Sequence, residues 1–212
     1  MKKIILLILA LNISCASKAQ IFNLYNNANY GAVTDAYYKD TESFQNQFVG
    51  TWIYQNGAEY LEVQFVKKEM QLHRPGPNQI YIDVLVGEYK YTDINGVEKV
   101  NSIPNLSANQ PSIYDYNLYS VSKISLQSYP KCEECPAGTE RLYMKFDELG
   151  NDDFGLDAIF VIRHVIEGGV EKLKVQFIHM NSASNQNKID LNSPSTFRDF
   201  SLPYGNYTLI KQ

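Results

Sequence analysis

The sequence contains little of the chemistry that metal centres and nucleophilic enzymes use. Its 212 residues include three cysteines and three histidines, and the histidines, His73, His164 and His179, are scattered. Cys132 and Cys135 have the spacing of half a zinc site, but the chain has no second cysteine pair to complete one. G-x-S-x-G, H-E-x-x-H and phosphate-binding glycine motifs are all missing. We therefore expect no metal site, no cofactor and no catalytic residue that a motif would reveal.

Basic residues are outnumbered by acidic ones. The chain has 19 Lys and Arg against 23 Asp and Glu, which gives a formal net charge of −4. Loss of an N-terminal segment containing Lys2, Lys3 and Lys18 would make that charge about −7. Because nucleic-acid binding depends on neutralising phosphates with Lys and Arg, this balance argues against a nucleic-acid partner.

Long hydrophobic runs are missing except at the start of the chain. Ile4 to Leu11 forms an apolar run of eight residues, which is too short for a membrane-spanning helix of about 20 residues. Together with Lys2 and Lys3, the run has the pattern of an export signal. We therefore expect an exported protein that is periplasmic, anchored to the outer membrane or secreted.

Two cleavage sites fit this signal. Cleavage after the A-x-A-like Ser17-Lys18-Ala19 would give a signal peptide over 1–19 and a soluble protein. Cleavage before Cys15 resembles lipoprotein processing, in which Cys15 is lipidated and becomes the one membrane anchor, although Asn12 stands where lipoboxes usually carry Leu. The sequence leaves both alternatives open.

Either cleavage leaves Cys132 and Cys135 as a pair. In an exported protein such a pair is expected to form a disulfide. The loop that it closes is short, so its contribution to stability should be only about 2 kcal/mol.

The remainder of the chain is predicted to be a β domain with an N-terminal arm. Residues 20–47 lack a clear period and are predicted to be an irregular arm. Within it, Asp40-Thr41-Glu42-Ser43 looks like the capped start of a short helical turn ending near Phe48. Residues 48–212 form the predicted domain, because the 16 Tyr and 10 Phe of the chain, with many Val and Ile, favour strands.

The clearest hairpin signal is Asn56-Gly57 between two alternating strands, Phe48–Gln55 and Glu59–Lys67. A type I′ turn at Asn-Gly would pair position 55 with position 58 and place Trp52 opposite Leu61. Alternate residues of both strands would then share one dry face.

Further hairpins follow the same logic. A strand over Gln79–Thr92 turns at Asn95-Gly96, and its apolar pattern changes phase near Gly87, which predicts a β-bulge or bend. Gly168-Gly169 predicts a two-residue turn that places Phe160 opposite Phe177. With strands over 118–127, 141–148 and 204–211, the count is about nine, which favours an antiparallel up-and-down barrel, with a β-sandwich as the alternative.

Gly50-x-Trp52, just after a short helical turn, resembles the first strand of a lipocalin-like barrel. Leu202-Pro203 followed by Asn206–Lys211 resembles the closing strand of small exported lipocalin-like bacterial domains. Over its length the chain is similar to an uncharacterised domain-of-unknown-function family of exported Gram-negative proteins. The resemblance implies a barrel with a cavity or a packed core and no assigned activity. It also implies a basic residue over the Trp ring, for which Arg198 and then Arg163 are the candidates.

Four residues are predicted to contact a ligand. His164 is the one titratable residue on the apolar face of its strand, where it needs a hydrogen-bonding partner. Trp52, Tyr89 and Tyr91 supply rings that could stack on a sugar or cover an apolar molecule. Other tyrosines with the same capacity are Tyr81, Tyr114, Tyr116 and Tyr119. The acidic loop 147–155 could attract calcium, but its spacing does not match an EF-hand.

Two functions are consistent with these observations. The first is a monomeric binding or structural module of the envelope that holds a small apolar or glycan ligand. The second is an envelope hydrolase acting on polysaccharide or peptide through carboxylate or His chemistry, which requires two titratable groups in one cleft. An outer-membrane barrel is disfavoured because the wet strand faces are charged or polar. The residues on those faces are Glu62, Gln64, Lys145, Arg163, Lys172 and Lys174.

Overall fold

The structure is a computed structural model that describes residues 19–108 and 110–212. The predicted lipidation site, Cys15, and the predicted signal peptide apart from Ala19 lie outside the described residues. No helix in the described part of the chain is long and apolar enough to cross a membrane.

The described residues form one eleven-stranded sheet and three short 3₁₀ helices. The strands are β1 (Ile21–Asn23), β2 (Tyr37–Lys39), β3 (Gly50–Asn56), β4 (Glu59–His73), β5 (Ile80–Thr92), β6 (Glu98–Asn101), β7 (Leu118–Ser125), β8 (Glu140–Phe146), β9 (Asp157–Glu167), β10 (Val170–Asn181) and β11 (Gly205–Lys211). The 3₁₀ helices are Phe44–Phe48, Ile103–Ser107 and Ile113–Asp115.

Eight of the strands close into a barrel. Their order is β5-β4-β3-β11-β10-β9-β8-β7, and all neighbours in this path are antiparallel. The ring closes where β5 meets β7, through Val86 opposite Tyr119 and Gly87 opposite Leu118. The prediction of an all-β, up-and-down antiparallel barrel is therefore confirmed, and the sandwich alternative is wrong.

The strand register agrees with the prediction in the last hairpin and differs from it in the first. Phe177 lies opposite Phe160 as predicted from Gly168-Gly169. In the first hairpin, however, Trp52 lies opposite Val63 and not Leu61. Gly57, with φ of 63°, is the first central residue of the turn, as in a type II′ turn. The register thus shifts by two residues, which leaves the same side chains facing inward.

The predicted bulge at Gly87 is not present. The β4–β5 register is unbroken from Lys68 opposite Val84 to Tyr60 opposite Thr92. The phase changes because β5 has two buried faces. One faces the barrel interior, and the other packs outside the barrel under the N-terminal arm. The irregularity lies in β4, between Lys68 and Gln71.

The arm packs against the outside of the barrel. It contains the short strands β1 and β2, which run parallel to each other, and β2 also pairs with β5. The predicted helical turn is the 3₁₀ helix Phe44–Phe48. Its start is capped by the Asp40 carboxylate, which accepts hydrogen bonds from the backbone N–H groups of Phe44 and Gln45 at 2.9 Å. The predicted disulfide between Cys132 and Cys135 is also present.

The barrel interior is filled by large side chains. Trp52, Phe160 and Phe177 are 0% exposed, and Phe65 is 1% exposed. A second, smaller cluster lies between β5 and the arm, and it includes Tyr38, Ile82 and Tyr116. The molecule therefore has one hydrophobic core inside the barrel and another outside it.

Candidate functional site

Trp52 lies on the first barrel strand, β3, and is fully buried. Its indole N–H donates to the backbone carbonyl of Phe48 at 2.8 Å, which links the first barrel strand to the 3₁₀ helix. The ammonium group of Lys211 lies 5.4 Å from the centre of the Trp ring. The basic residue over Trp52 is therefore Lys211, and the predictions of Arg198 and Arg163 are wrong.

His164 lies beside Trp52. Its ring meets the Trp ring edge-on, with 5.9 Å between the centroids. His164 Nε2 is 3.0 Å from Glu171 Oε2, and the same oxygen accepts from Lys211 at 2.7 Å. The hydrogen bond from Lys211, together with His164, lowers the pKa of the Glu171 carboxyl. His164 thus belongs to a small ion-pair network beside Trp52.

Tyr89 and Tyr91 lie away from that network and are paired with carboxylates. The Tyr89 hydroxyl donates to Glu148 at 2.8 Å, and the Tyr91 hydroxyl donates to Glu59 at 3.0 Å. Glu148 also accepts from the backbone N–H and the hydroxyl of Ser201, at 2.7 and 2.6 Å. Burial, followed by the neighbouring carboxylates, raises the pKa of both phenols well above the ordinary value. These tyrosines therefore act as neutral hydrogen-bond donors inside the protein.

Hydrogen bonds join the acidic loop 147–155 to the long loop between β10 and β11. Although burial opposes ionisation, backbone N–H donors, among them those of Ser184, Gly155 and Leu156, lower the pKa of Asp153. Asp152 accepts from the Ser195 hydroxyl at 2.7 Å. Because these carboxylates are directed at N–H and O–H donors, the loop is built as a structural link between segments.

The sulfur pair does not offer a metal site either. Cys132, Glu134 and Cys135 lie close enough together to share an ion. No other group of three or more metal-ligating side chains does so among the described residues. The sulfur atoms of Cys132 and Cys135 are bonded to each other, so they are not available as thiolates.

A groove on the outside of the barrel has the geometry of a binding site. It has a volume of about 310 Å³, near the lower end of the range of about 300–1,000 Å³ for small-molecule sites. We call it the outer groove. Its lining residues come from the arm, the end of β4, β5, the 3₁₀ helix Ile113–Asp115, β7 and β8. They are Leu24, Tyr25, Tyr30, His73, Arg74, Ile82, Asp83, Ile113, Tyr114, Tyr119, Ser120, Val121 and Lys145.

The outer groove lies beside the short seam between β5 and β7. Only two residue pairs join these strands in the ladder. Beyond these pairs, the backbone N–H of Leu85 donates to the Ser120 hydroxyl at 3.0 Å. A side-chain oxygen is thus the acceptor in place of a backbone carbonyl. The β7–β8 register also shifts between Ser120 and Ser122. β7 thus diverges from β5, and side chains of the arm and the 3₁₀ helix border the gap.

Aromatic side chains give the outer groove its shape. Tyr114 is 46% exposed, and its ring packs edge-on against Tyr119 with 5.3 Å between centroids. The Tyr114 hydroxyl lies 2.7 Å from His73 Nδ1. The His73 ring also lies near the Tyr30 ring, with 6.4 Å between centroids, and the guanidinium of Arg74 lies over the Tyr30 ring at 5.5 Å. The groove therefore presents ring surfaces together with polar groups.

The titratable groups of the outer groove are held in defined protonation states. Burial, and then the charge of Arg74, lowers the pKa of His73, so the imidazole is neutral at pH 7. Burial raises the pKa of Tyr30 to about 12 and that of Tyr119 to about 12, so both phenols keep their protons. The groove thus offers neutral donors and acceptors beside one guanidinium.

A larger depression of about 610 Å³ lies among the loops at 154 and 185–194. It is lined mainly by Asn, Ser and Gln side chains, with one aromatic ring, that of Phe154. The depression offers few surfaces on which a ligand ring could pack. The outer groove is therefore the better candidate site.

Sequence reasoning found only part of this site. Tyr114 and Tyr119 were among the rings considered for stacking, whereas Tyr30, His73 and Arg74 were missed. The one signal for Tyr30 was the Asn/Tyr-rich composition of the arm. The structure brings Trp52 and His164 together, but neither lines the outer groove.

Comparison with known proteins agrees with the absence of familiar motifs. No curated protein and no solved structure matches the chain. A family model matches the chain over residues 1–212. The chain therefore belongs to the family of unknown function DUF6705.

Proposed function

We propose that the protein is an exported, lipocalin-like binding module of a Gram-negative cell envelope that holds a short glycan in the outer groove. Export is supported by Lys2, Lys3 and the apolar run Ile4–Leu11. It is also supported by the disulfide between Cys132 and Cys135, because disulfides persist in oxidising compartments.

The observation that carries the binding proposal is the set of tyrosines around the outer groove. Tyr25, Tyr30, Tyr114 and Tyr119 line a space of about 310 Å³ that opens to solvent. A sugar ring has apolar C–H faces that pack on aromatic rings and hydroxyl groups at its edge that need hydrogen bonds. The groove supplies both kinds of partner, since polar groups such as the His73 imidazole lie next to the rings.

The barrel interior is a weaker candidate for the ligand. Its rings pack against one another, as with Phe146 and Phe177 at 4.5 Å between centroids. Admitting a ligand would require displacing side chains that are fully buried, at a cost typical of core disruption. Binding at the outer groove requires no such displacement.

Binding is favoured over hydrolysis by the state of the charged groups in the outer groove. The carboxylate of Asp83 accepts hydrogen bonds from the Tyr37 hydroxyl and from the backbone N–H groups of Asp40 and Met70. The ammonium of Lys145 is 2.7 Å from both oxygens of Asp157. These groups are committed to structural hydrogen bonds, so they do not resemble an acid and base poised for proton transfer.

Calorimetric titration of the purified mature protein tests the proposal. Cellotetraose, chitotetraose and tetragalacturonate would serve as probes. We expect at least one of them to bind, and Tyr114→Ala to weaken that binding about tenfold or more, because one stacking surface is lost. Tyr60→Ala is the matched control, since Tyr60 lies on β4 at the end of the strand remote from His73. If none of the probes binds, or if Tyr60→Ala weakens binding as much as Tyr114→Ala does, the groove is not a glycan site.

Export can be tested separately on the protein isolated from its own cells. An intact mass corresponding to cleavage after Ala19 would identify a soluble exported form. A mass with acyl chains on Cys15 would identify a lipoprotein. A chain that still carries Met1 to Ala19 and is found in the cytoplasm would contradict export.

A further inference from the structure

We infer that the glycan bound in the outer groove carries a carboxylate and that Arg74 binds this carboxylate. The inference rests on the proposed function and deepens it. It identifies the ligand as an acidic sugar, of the uronic acid class, and Arg74 as the residue that selects it.

Arg74 packs against the arm. The residue follows β4 directly and has a positive φ of 56°. Its Nη1 would lie 2.7 Å from a Cβ atom on Gly31, and Gly31 itself has φ of +80°. The positive φ of Gly31 favours glycine at this position, and the absence of a Cβ atom lets the guanidinium approach the arm closely. The guanidinium also lies over the Tyr30 ring.

The charge of Arg74 is not neutralised within the described part of the chain. No carboxylate there lies within 4.0 Å of its guanidinium, whereas Lys145, the other cation lining the groove, is paired with Asp157. Asp83, the one acid in the lining, is directed at donors from Tyr37, Asp40 and Met70. His73 is neutral, because burial and Arg74 lower its pKa. The groove therefore presents a single uncompensated positive charge.

The type of cation also indicates the type of ligand. A guanidinium presents planar, paired N–H donors that match the two oxygens of a carboxylate. The cation–π contact with Tyr30 orients the guanidinium of Arg74 beside the groove. A ring that stacks on Tyr114 while its carboxylate reaches Arg74 would contact two lining residues of the outer groove at once. A uronic acid combines these two features in one sugar unit.

The test uses two ligands that differ mainly in charge, tetragalacturonate and its methyl ester. We expect the acid to bind at least tenfold more tightly than the ester at low salt, and the preference to decrease as salt is added. In Arg74→Gln the preference for the acid should be lost, so that the acid and the ester bind with similar affinity. Arg198→Gln is the matched control, because Arg198 is an exposed arginine outside the groove, and it should keep the full preference.

The outcomes separate the two proposals. If the acid and the ester bind the native protein equally, or if only neutral cellotetraose or chitotetraose binds, the carboxylate inference is wrong while glycan binding stands. A preference that survives in Arg74→Gln would also overturn the role of Arg74. If no probe binds at all, the proposed function itself fails. Thermal melts of both variants should match the native protein, since Arg74 and Arg198 are exposed.

Discussion

The barrel interior and the outer groove are both rich in aromatic rings, but they use those rings differently. Inside the barrel, Trp52 and Phe177 are 0% exposed, and the Trp52 N–H is hydrogen-bonded to the chain. In the outer groove, Tyr114 is 46% exposed and borders an open space. Aromatic enrichment in a β protein therefore does not by itself distinguish a core from a binding surface. The two are distinguished by how closely other side chains pack around each ring.

The backbone explains the difference between the two regions. Around most of the barrel, long ladders hold the strands together, as between β9 and β10. Two seams are short, with two pairs each, between β5 and β7 and between β3 and β11. At the seam between β5 and β7, the rings lie on the outside of the barrel beside the arm and the 3₁₀ helix Ile113–Asp115, whereas the rings of the interior pack against one another. Substitutions in the two regions should therefore differ in their effects on stability.

Trp52→Ala should have the largest effect on stability. The substitution leaves a cavity in a filled interior, removes a ring under Lys211 and breaks the hydrogen bond to Phe48. We expect the free energy of unfolding to fall by about 3–5 kcal/mol, measured by urea denaturation. Trp52→Phe should cost less, because most of the apolar volume remains. A loss below about 1 kcal/mol for Trp52→Ala would mean that the interior is not packed as described.

Glu88 and Glu148 are both buried, but they differ in their hydrogen-bonding partners. Glu148 has three donors inside the protein, whereas neither oxygen of the fully buried Glu88 side chain has a hydrogen-bonding partner of good geometry among the described residues. Burial raises the pKa of Glu88 from 4.5 to about 7, partly offset by Ser102 and Asn117. The folded protein therefore binds more protons than the unfolded chain between pH 4.5 and 7, so stability falls as the pH rises through this window.

Glu88→Gln should remove that pH dependence. We expect the variant to match the native protein near pH 4 and to be more stable by about 1–3 kcal/mol at pH 8, from urea denaturation at each pH. Glu133→Gln, at an exposed position, is the control and should change nothing. A native protein whose stability is no lower at pH 8 than Glu88→Gln would contradict the raised pKa.

The disulfide tests whether the loop between β7 and β8 supports the barrel only locally. Replacing Cys132 and Cys135 with Ala should lower the free energy of unfolding by about 2 kcal/mol, because the closed loop is short. Reduction of the native protein with dithiothreitol should reproduce the loss. Ligand affinity should not change, since the pair lies outside the outer groove. Complete unfolding on reduction would show that the pair supports the fold as a whole.

Tyr114→Ala should have the smallest effect on stability. The ring is half exposed and lies at the rim of the groove, so we expect a change below about 0.5 kcal/mol. Together with the expected loss of binding, this result would separate the roles of the two aromatic regions. A loss comparable to that of Trp52→Ala would instead make Tyr114 a core residue.

The local parts of the fold could be predicted from the sequence. Gly168-Gly169 determined the register of Phe160 and Phe177, and Asp40 predicted the start of the 3₁₀ helix. Asn56-Gly57 predicted the hairpin but misplaced its turn by one residue, because glycine suits more than one turn type. The inward face survived the error since the side-chain period is two.

The candidate site could not be predicted because it depends on contacts between distant segments. Lys211 reaches Trp52 only through the pairing of β11 with β3, and sequence spacing does not reveal that pairing. Arg74 and Tyr30 meet because the arm folds over the seam between β5 and β7. Neither the arm nor the length of the seam has a periodic pattern that would indicate these contacts.

The most direct test of the central claim is a ¹H–¹⁵N correlation spectrum recorded during titration with tetragalacturonate. Trp52 is the only tryptophan of the chain, so its indole N–H reports on the barrel interior as a single resolved signal. We expect the amide signals of Tyr30, His73, Arg74 and Tyr114 to shift with increasing ligand while the Trp52 indole signal stays in place. A shift of the Trp52 indole with no change at the outer groove would place the ligand inside the barrel and contradict the account.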